Sequence, residues 1–252
     1  MINASARAAV LRFPHDPHLV RDDPNAPDAV VLLALDLDHL LKVVGDCAAV
    51  MRRHAEGGVP AGKQFRALTA ACDRATMIAQ RLTSAEMLSW RDRSPIDIKL
   101  VVLDCAEMLE CALGGRIHLA QHLTANHYYV AAERIEIDRI LLNLALAGRA
   151  AMPEGGVLTI ELAALKQVPP GLRPPHVRAR TYVRLVVEDS GAGMPSATRL
   201  IALAPGALRK LEGTALALAA VAHTVRALEG RLNIESDGGR GTRVIIDLPC
   251  VE

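Results

Sequence analysis

The sequence predicts an α+β protein made of an antiparallel helical hairpin followed by an α/β sandwich. Apolar residues recur in alternating steps of three and four from Val30 to Met51 and again from Phe65 to Leu82, which is the spacing of one helix face. After residues 94–95, helix-like and strand-like segments alternate, as in a mixed sheet covered by helices. We therefore predict three regions: a flexible arm at residues 1–28, the hairpin at 29–93 and the sandwich at 94–252.

The composition argues against a nucleic-acid partner. Lys and Arg number 29 against 28 Asp and Glu, so the formal charge of +1 creates no field that attracts nucleic acid or an anionic membrane. Aromatic residues make up only 2% of the chain, which is too few for a base-stacking platform.

The sequence also predicts a protein without a membrane segment. No apolar run approaches the roughly 18 residues that a membrane span needs, and the N-terminus lacks the apolar core of a signal peptide. The cysteines are scattered and show no CxxC spacing, which is typical of reduced thiols rather than of a disulfide or zinc framework. They are Cys47, Cys72, Cys105, Cys111 and Cys250. We expect a cytoplasmic protein.

The hairpin follows from two amphipathic segments and the break between them. Gly57-Gly58-Val59-Pro60 ends the first helix, and the second begins shortly after it. One hairpin does not cover both of its apolar seams, whereas two hairpins from two chains close a four-helix bundle. We therefore predict a homodimer that forms through the hairpin; the alternative is that the hairpin packs on the rest of its own chain.

The sandwich is predicted from the switch between helical and alternating periods. The predicted helices are 101–113, 134–152 and 213–229, and the predicted strands are 116–123, 157–165, 181–189, 231–236 and 242–248. A proline-rich loop is expected at residues 166–180.

Three segments of the second half resemble the nucleotide site of a known family. They are VVEDSGAGMP at 186–195, GTALAL at 213–218 and ESDGGRGTRVIIDLP at 235–249. Their order and spacing resemble the Bergerat-type (GHKL) ATPase domain of sensor histidine kinases, and the resemblance extends over about residues 32–249. It implies a two-component signalling protein with a dimeric phosphoacceptor hairpin and one ATPase-type domain per chain.

The resemblance assigns nucleotide-binding roles to several residues. It implies that the Asp189 carboxylate accepts a hydrogen bond from the adenine amino group, although Asp-Ser-Gly is also an ordinary turn sequence. The other implied binding residues are Asn143, Gly191, Gly193, Gly213, Thr214 and Thr242.

Substitutions remove groups that the family uses at the phosphate side. Ala147 stands where an asparagine coordinates Mg²⁺, and a methyl group supplies no oxygen ligand. Ala215 and Ala217 replace two glycines of the phosphate loop, so backbone freedom is lost where phosphate approaches. We expect no required cofactor and no metal site, with residual ATP or ADP binding as the most that the pocket supports.

The phosphoaccepting histidine is also replaced. ALDLDHLLKVVGDCAAVM resembles the first helix of the family hairpin, and the histidine of that motif falls on Leu35, which has no nucleophilic nitrogen. The heptad phase turns Leu35 away from the bundle, where it either docks a partner or is an ordinary surface leucine. His39, one turn later, is either a solvated histidine without a role, a displaced phosphoacceptor or a residue that positions water.

These features favour a degenerate histidine-kinase-like protein, a pseudokinase without autokinase activity. Its expected partner is the receiver domain of a response regulator or another histidine kinase. The predicted docking face contains Leu35, Asp36, His39, Lys42 and Val43. One alternative is a histidine phosphotransferase that uses His39 without ATP, and a second is a weak ATP-binding histidine kinase.

Overall fold

The structure, a computed structural model, describes residues 9–10, 26–57, 62–83, 93–124, 126–165, 181–204, 207–209 and 211–251. Its α-helices are Ala26–Gly57 (α1), Gly62–Thr83 (α2), Ile98–Leu113 (α3), Arg134–Ala151 (α4), Ser196–Ala202 (α5) and Gly213–Ala227 (α6), with a 3₁₀ turn at Ala207–Arg209. The strands are Ala9–Val10 (β1), Pro95–Asp97 (β2), Ile117–Leu123 (β3), Tyr129–Ala131 (β4), Gly156–Leu165 (β5), Tyr182–Asp189 (β6), Arg231–Ser236 (β7) and Thr242–Pro249 (β8). The predicted loop at 166–180 and most of the predicted arm lie outside the described residues.

The second half of the chain is the predicted mixed sheet with packed helices. One sheet has the strand order β1-β7-β8-β6-β5-β3, in which β3 pairs with β5 in parallel and the other neighbours are antiparallel. Helix α3 packs on α4 and α4 packs on α6, and each of the three also contacts the sheet. Strands β2 and β4 form a separate antiparallel ribbon.

Local sequence signals start two of these helices. The Asp97 carboxylate accepts the backbone N–H of Lys99 at 3.0 Å and caps α3. Glu133 and Glu136 form a capping box at the start of α4, in which Glu136 Oε2 accepts the Glu133 N–H at 2.9 Å. The start of α4 is therefore stabilised by its own side chains.

Helix α1 packs on its own chain along two faces. The predicted seam is buried or half-buried except at Val30, which is exposed, and Leu33, Leu40 and Cys47 are its most enclosed members. A second face, made of Leu32, Asp36, His39 and Val43, is also buried, and α1 contacts α3 and α4 as well as α2. The alternative in which the hairpin packs on its own chain therefore describes the folded chain.

The predicted orientation of the docking face is wrong. Asp36 is 5% exposed, His39 8% and Val43 0%, whereas Leu35 is half-buried and only Lys42 is exposed. The heptad pattern identified the seam toward α2 correctly, but it gave no sign that the opposite side of α1 is covered by the α/β domain. The physical reason is that Asp36 has a buried partner on α4.

Helix α2 is rotated relative to its predicted seam. Leu68 and Ala75 are half-buried as expected, but Phe65 is 59% exposed and Cys72 is also exposed. The buried positions are instead Ala67, Ala71 and Ile78. Small alanines face α1 and α3, which allows the helices to approach closely and leaves the bulky Phe65 outside.

Helix α4 is tied to the hairpin and to the preceding linker by ion pairs. Arg139 Nε donates to both Asp36 carboxylate oxygens, at 2.9 and 2.7 Å, and both side chains are almost fully buried. Arg74 of α2 donates to Asp138 at 2.5 Å, and Arg149 pairs with Asp46 of α1. A further buried pair joins Arg93 and Glu136, with Nη2 and Oε1 2.8 Å apart.

The expectation of reduced cysteines is wrong for one pair. Cys47 of α1 and Cys111 of α3 form a disulfide, whereas Cys72, Cys105 and Cys250 are free. The pairing partners are 64 residues apart in sequence, so spacing motifs such as CxxC do not reveal them. Among the described residues, no helix is both long enough and apolar enough to cross a membrane.

We predict that an Asp36→Asn variant lowers the free energy of unfolding by about 3–5 kcal/mol, because it leaves the buried Arg139 guanidinium without a counter-charge. Urea denaturation of the full chain measures this. Asp38→Asn on the same helix is the matched control, since Asp38 pairs with Lys42 at a solvent-exposed i,i+4 position. That pair is expected to contribute under about 0.5 kcal/mol. Equal losses in the two variants would contradict the assignment.

Candidate functional site

A cavity of about 260 Å³ opens between α4, the end of β6, the start of α6 and β8. Its walls are mostly apolar, with Asp189, Thr198, Thr214 and Thr242 as the polar contributors. The remaining lining residues are Leu144, Ala147, Ala150, Ala151, Leu158, Val187, Gly193, Met194, Pro195, Leu218 and Val244. A concave apolar site with a few polar groups is the usual form of a small-molecule pocket.

Asp189 is the principal polar group of this cavity. It ends β6 and lies beside Thr242 of β8 and Leu158 of β5 in the sheet. Its Oδ1 accepts the Gly191 N–H at 2.8 Å, and burial raises the pKa of the carboxyl group, against the hydrogen bonds from Gly191 and Thr242. Asp189 is thus held rigidly at the sheet edge and faces the pocket as a hydrogen-bond acceptor.

Two glycines allow the backbone to close around Asp189. Gly193 has φ +70°, and a Cβ there would lie 2.2 Å from the Asp237 carbonyl oxygen. Gly241 has φ +78°, and its Cβ would lie 1.9 Å from the Asp189 carbonyl oxygen. Any side chain at either position would collide with backbone atoms. The fold therefore requires glycine at both positions, whether or not a ligand binds.

Helix α4 turns its polar groups away from the pocket. Asn143 is fully buried, its Nδ2 donates to the Arg139 carbonyl at 2.8 Å, and it does not line the cavity. The structure therefore does not bring Asn143 together with Asp189, as the sequence had implied. Ala147, Ala150 and Ala151 form the α4 wall instead, so that wall offers no oxygen ligand to a cation.

The side of the site that the resemblance assigns to phosphate lies at the start of α6. Gly213, at φ +59°, begins α6, and Thr214 lines the cavity, but Ala217 is buried within the helix packing. Glu212 precedes the helix and is exposed, which places a carboxylate beside the helix N-terminus. A helix N-terminus attracts anions, and this carboxylate competes with any phosphate there.

The described walls of the cavity carry no positively charged side chain. None of the described residues that line the cavity is Lys or Arg. Within the described part of the chain, no group of three His, Cys, Asp or Glu residues could hold a metal ion. The described part of the cavity therefore presents one carboxylate and three hydroxyl groups on otherwise apolar walls.

Comparison with known proteins identifies this domain. Residues 132–252 match the model of a family described as "Histidine kinase-, DNA gyrase B-, and HSP90-like ATPase". Those residues belong to this ATPase family. Sporulation kinase D of Bacillus subtilis (strain 168) is 33% identical over 129 residues, which are 51% of this chain and 23% of that kinase. Sensor kinase CckA of Brucella abortus (strain 2308) is 23% identical over 220 residues, 86% of this chain and 23% of CckA.

The chain spans about a quarter of the length of the curated relatives it matches. Among solved structures, the mycobacterial sensor histidine kinase MprB has a TM-score of 0.48 at 23% identity, over 63% of this chain and 98% of that one. The family match over residues 132–252 and the relatives named as kinases support a two-component histidine kinase core with a GHKL-type ATPase domain.

In this histidine kinase core, Leu35 packs on its own ATPase domain. It contacts a small apolar cluster that joins α1 to the 3₁₀ turn and to α6. The buried members are Leu32, Ala207, Leu208, Ala219 and Ala220, with Leu35, Leu211 and Leu216 at the margin. Leu35 is therefore an intramolecular contact and not a free surface leucine.

His39 is enclosed between α1 and the ATPase domain. Burial is the main cause that lowers its pKa to about 4; Lys42 acts in the same direction and Asp38 opposes it. The imidazole is therefore neutral at pH 7, and its Nδ1 is buried with no hydrogen-bond partner. His39 is therefore a buried side chain in this arrangement and not a solvated one.

Helices α1 and α4 run in the same direction with a fixed register. Asp36 pairs with Arg139 and Asp46 pairs with Arg149. The two pairs are separated by ten residues on α1 and by ten residues on α4, so the helices are parallel and in register. His39 lies one turn after the first pair on α1, and Asn143 lies one turn after it on α4. Asn143 Oδ1, like His39 Nδ1, is buried without a partner.

Sequence reasoning missed the residues that hold the two halves together. Arg139 and Arg149 belong to no short sequence motif, because each has its partner 103 residues away in the sequence. Ser236 was also missed: its Oγ accepts the Met194 N–H at 2.8 Å and donates to the Gly241 carbonyl at 3.0 Å. The sequence signal for Ser236 was its position at the end of a predicted strand, directly before a glycine-rich turn.

We predict that His39 makes the protein less stable in acid. Its pKa falls from 6.5 to about 4 on folding, so the unfolded chain binds a proton first as pH decreases. His39 therefore leaves the free energy of unfolding unchanged above pH 6.5 and lowers it as the pH falls toward 4. The total loss is about 2 kcal/mol after allowance for partial solvent access. Urea denaturation from pH 7 to pH 4.5 measures it.

The comparison variant for this prediction is His39→Gln, which should remove that part of the pH dependence. His122→Gln changes an exposed histidine on β3 and should keep it. If both variants follow the wild-type pH profile, His39 is not the group that titrates.

Proposed function

We propose that the chain is a degenerate histidine kinase core that acts in two-component signalling by binding a protein partner and has no autokinase activity. The observation that carries the proposal is the packing of Leu35, at the position implied for the phosphoacceptor, against the cluster that adjoins α6. Leu35 thus contributes an apolar contact and no nucleophilic atom at this position.

The chemistry of phosphoryl transfer supports this proposal. Transfer from ATP needs a nucleophile, a metal that bridges the phosphates and donors that neutralise their charge. Leu35 is no nucleophile, the methyl groups of Ala147 and Ala150 face the cavity, and Glu212 adds negative charge beside α6. Each requirement fails at a different element, so restoring one of them does not restore the reaction.

We predict that the purified protein takes up no label from γ-labelled ATP with Mg²⁺ under conditions that label an active histidine kinase. Leu35→His should also remain unlabelled, because the phosphate side is unchanged in that variant. The readout is acid-labile, base-stable phosphate on the chain. ATP-dependent labelling of the wild-type protein at a histidine would refute the proposal.

A second role, binding of an adenine-containing ligand without Mg²⁺, is favoured by the state of Asp189. Its carboxylate lines an apolar cavity beside Thr242, in the position that the family resemblance assigns to adenine recognition. The described lining of the pocket offers this acceptor and contains no Lys or Arg. We propose that any such ligand is a regulator and not a phosphoryl donor.

We predict that ADP at about 100 times its dissociation constant stabilises the protein by about 2.7 kcal/mol, which raises the melting temperature by a few degrees. The shift should be the same with Mg²⁺ or with a chelator, since the described pocket offers no metal ligand. Asp189→Asn should abolish it, whereas Asp237→Asn, on an exposed turn, should not. No shift up to millimolar ADP would remove the second role, and a shift that needs Mg²⁺ would contradict the site described above.

The proposed partner is a receiver domain of a response regulator or another histidine kinase. Both would approach α1, but Asp36, His39 and Val43 are covered by the ATPase domain. The phosphotransferase alternative has the same requirement, because His39 must become accessible before it accepts a phosphoryl group. Partner binding at this face therefore depends on a movement of α1.

We also propose a homodimer through the outer side of the hairpin. Apolar side chains remain uncovered there, with Leu41 57%, Phe65 59% and Met77 52% exposed. We predict that Phe65→Lys converts a dimer into a monomer in sedimentation equilibrium. Leu200→Lys, which changes an equally exposed leucine on α5, should leave the dimer intact. A wild-type monomer at micromolar concentration would contradict this.

A further inference from the structure

Three helices meet at a junction that contains the disulfide. Cys47 of α1 is bonded to Cys111 of α3. The neighbouring residue Asp46 pairs with Arg149 of α4, and Arg149 Nη1 also donates to the Ala112 carbonyl of α3 at 2.6 Å. The disulfide is therefore the covalent part of the contact that holds the hairpin on the ATPase domain.

The two sulfur atoms differ in access. Cys47 is fully buried, whereas Cys111 is half-buried and lines an open cavity of about 520 Å³. That cavity lies between the start of α2, the end of α3 and the start of β3, and Lys63, Glu107, Glu110 and His118 are among its lining residues. A thiol that enters from solvent reaches Cys111 and not Cys47.

We propose that the Cys47–Cys111 disulfide is a redox latch: reduction by a dithiol releases α1 from the ATPase domain and uncovers the face that contains Asp36, His39 and Val43. The identity of the partner that binds the uncovered face rests on the proposed function. The release itself is a property of the chain and is measured without any partner.

The chemistry is a two-electron thiol–disulfide exchange. A thiolate of the dithiol attacks Cys111 Sγ, the Cys47–Cys111 bond breaks, and Cys47 leaves as a thiolate that takes up a proton. The second thiol of the reductant then attacks its own sulfur in the mixed disulfide and releases Cys111. The products are two cysteine thiols and the oxidised, cyclic dithiol, so electrons and protons balance.

The latch acts on an equilibrium between docked and released α1. The disulfide closes a loop between residues 64 apart in sequence, which restricts the released state, and reduction removes that restriction. The Asp36–Arg139 pair and the Leu35 contacts remain after reduction. Reduction therefore raises the population of the released state, and it does not unfold the sheet.

The experiment uses the full chain in a Cys72→Ser background, since Cys72 is exposed and would form disulfides between molecules. Oxidised protein is prepared with oxidised glutathione and reduced protein with dithiothreitol. Thiols counted after denaturation should rise by two between these forms. Amide exchange over Leu32–Cys47 should be at least about tenfold faster in the reduced form, while β6 and β8 should be unchanged.

Cys111→Ser serves as the matched variant, because it should exchange like the reduced protein in both buffers. Cys250→Ser, at a free cysteine near the C-terminus, should respond like the parent. If Cys111→Ser fails to fold, reduction of the parent protein still tests the proposal alone.

Three results would overturn the latch. They are an unchanged thiol count in oxidised glutathione, equal exchange of α1 in both forms, and equal acceleration of α1 and the sheet, which would indicate global destabilisation. None of them concerns ATP. Failure of the latch is therefore distinguishable from failure of the proposed function, which is read by labelling.

Discussion

The buried ion pair between Asp36 and Arg139 is the constraint on which the arrangement of the two halves depends. Removing two charges from water costs several kcal/mol for each ion, and only close pairing compensates for it. Burial raises the pKa of Asp36, and Arg139 opposes that shift. Because neither charge is tolerated alone in this interface, α1 has one favourable rotation about its axis. That rotation places Leu35 against the α6 cluster and encloses His39.

Helix α4 shows how the polar groups of a nucleotide-binding helix have been redirected. In the family resemblance, asparagines of this helix face phosphate and metal. Here Glu136, Asp138, Arg139 and Arg149 are all used in ion pairs with the hairpin or the linker, and Asn143 is turned inward. The pocket side of the same helix carries alanine methyl groups. The charged side chains of this helix thus serve the contact between the hairpin and the ATPase-type domain.

Most elements were predictable from sequence because each has its own period, and α1, α4, β5, β6 and β8 lie within a few residues of their predicted bounds. Asp189 and its glycines were also predictable, since strand, turn and carboxylate are adjacent in sequence. The rotation of α1 was not, because one apolar stripe cannot reveal that polar Asp36 has a partner 103 residues away. The same holds for Cys47 and Cys111, and strands β2 and β4 are too short for a visible pattern.

The two ends of the pocket differ in how closely their residues match the family pattern. They also differ in how many backbone contacts those residues make. On the adenine side, Gly241 lies against the Asp189 carbonyl, and Asp189 itself accepts the Gly191 N–H, so a change at any of these positions disturbs the sheet edge. On the side that the resemblance assigns to phosphate, Ala147, Ala215 and Ala217 are strong helix formers, so these residue types suit α4 and α6 without any ligand. Preservation of Asp189 is therefore explained by folding alone. The distinctive sign of ligand binding is that its carboxylate also lines an open apolar cavity, where a hydrogen-bond donor would relieve the cost of its burial.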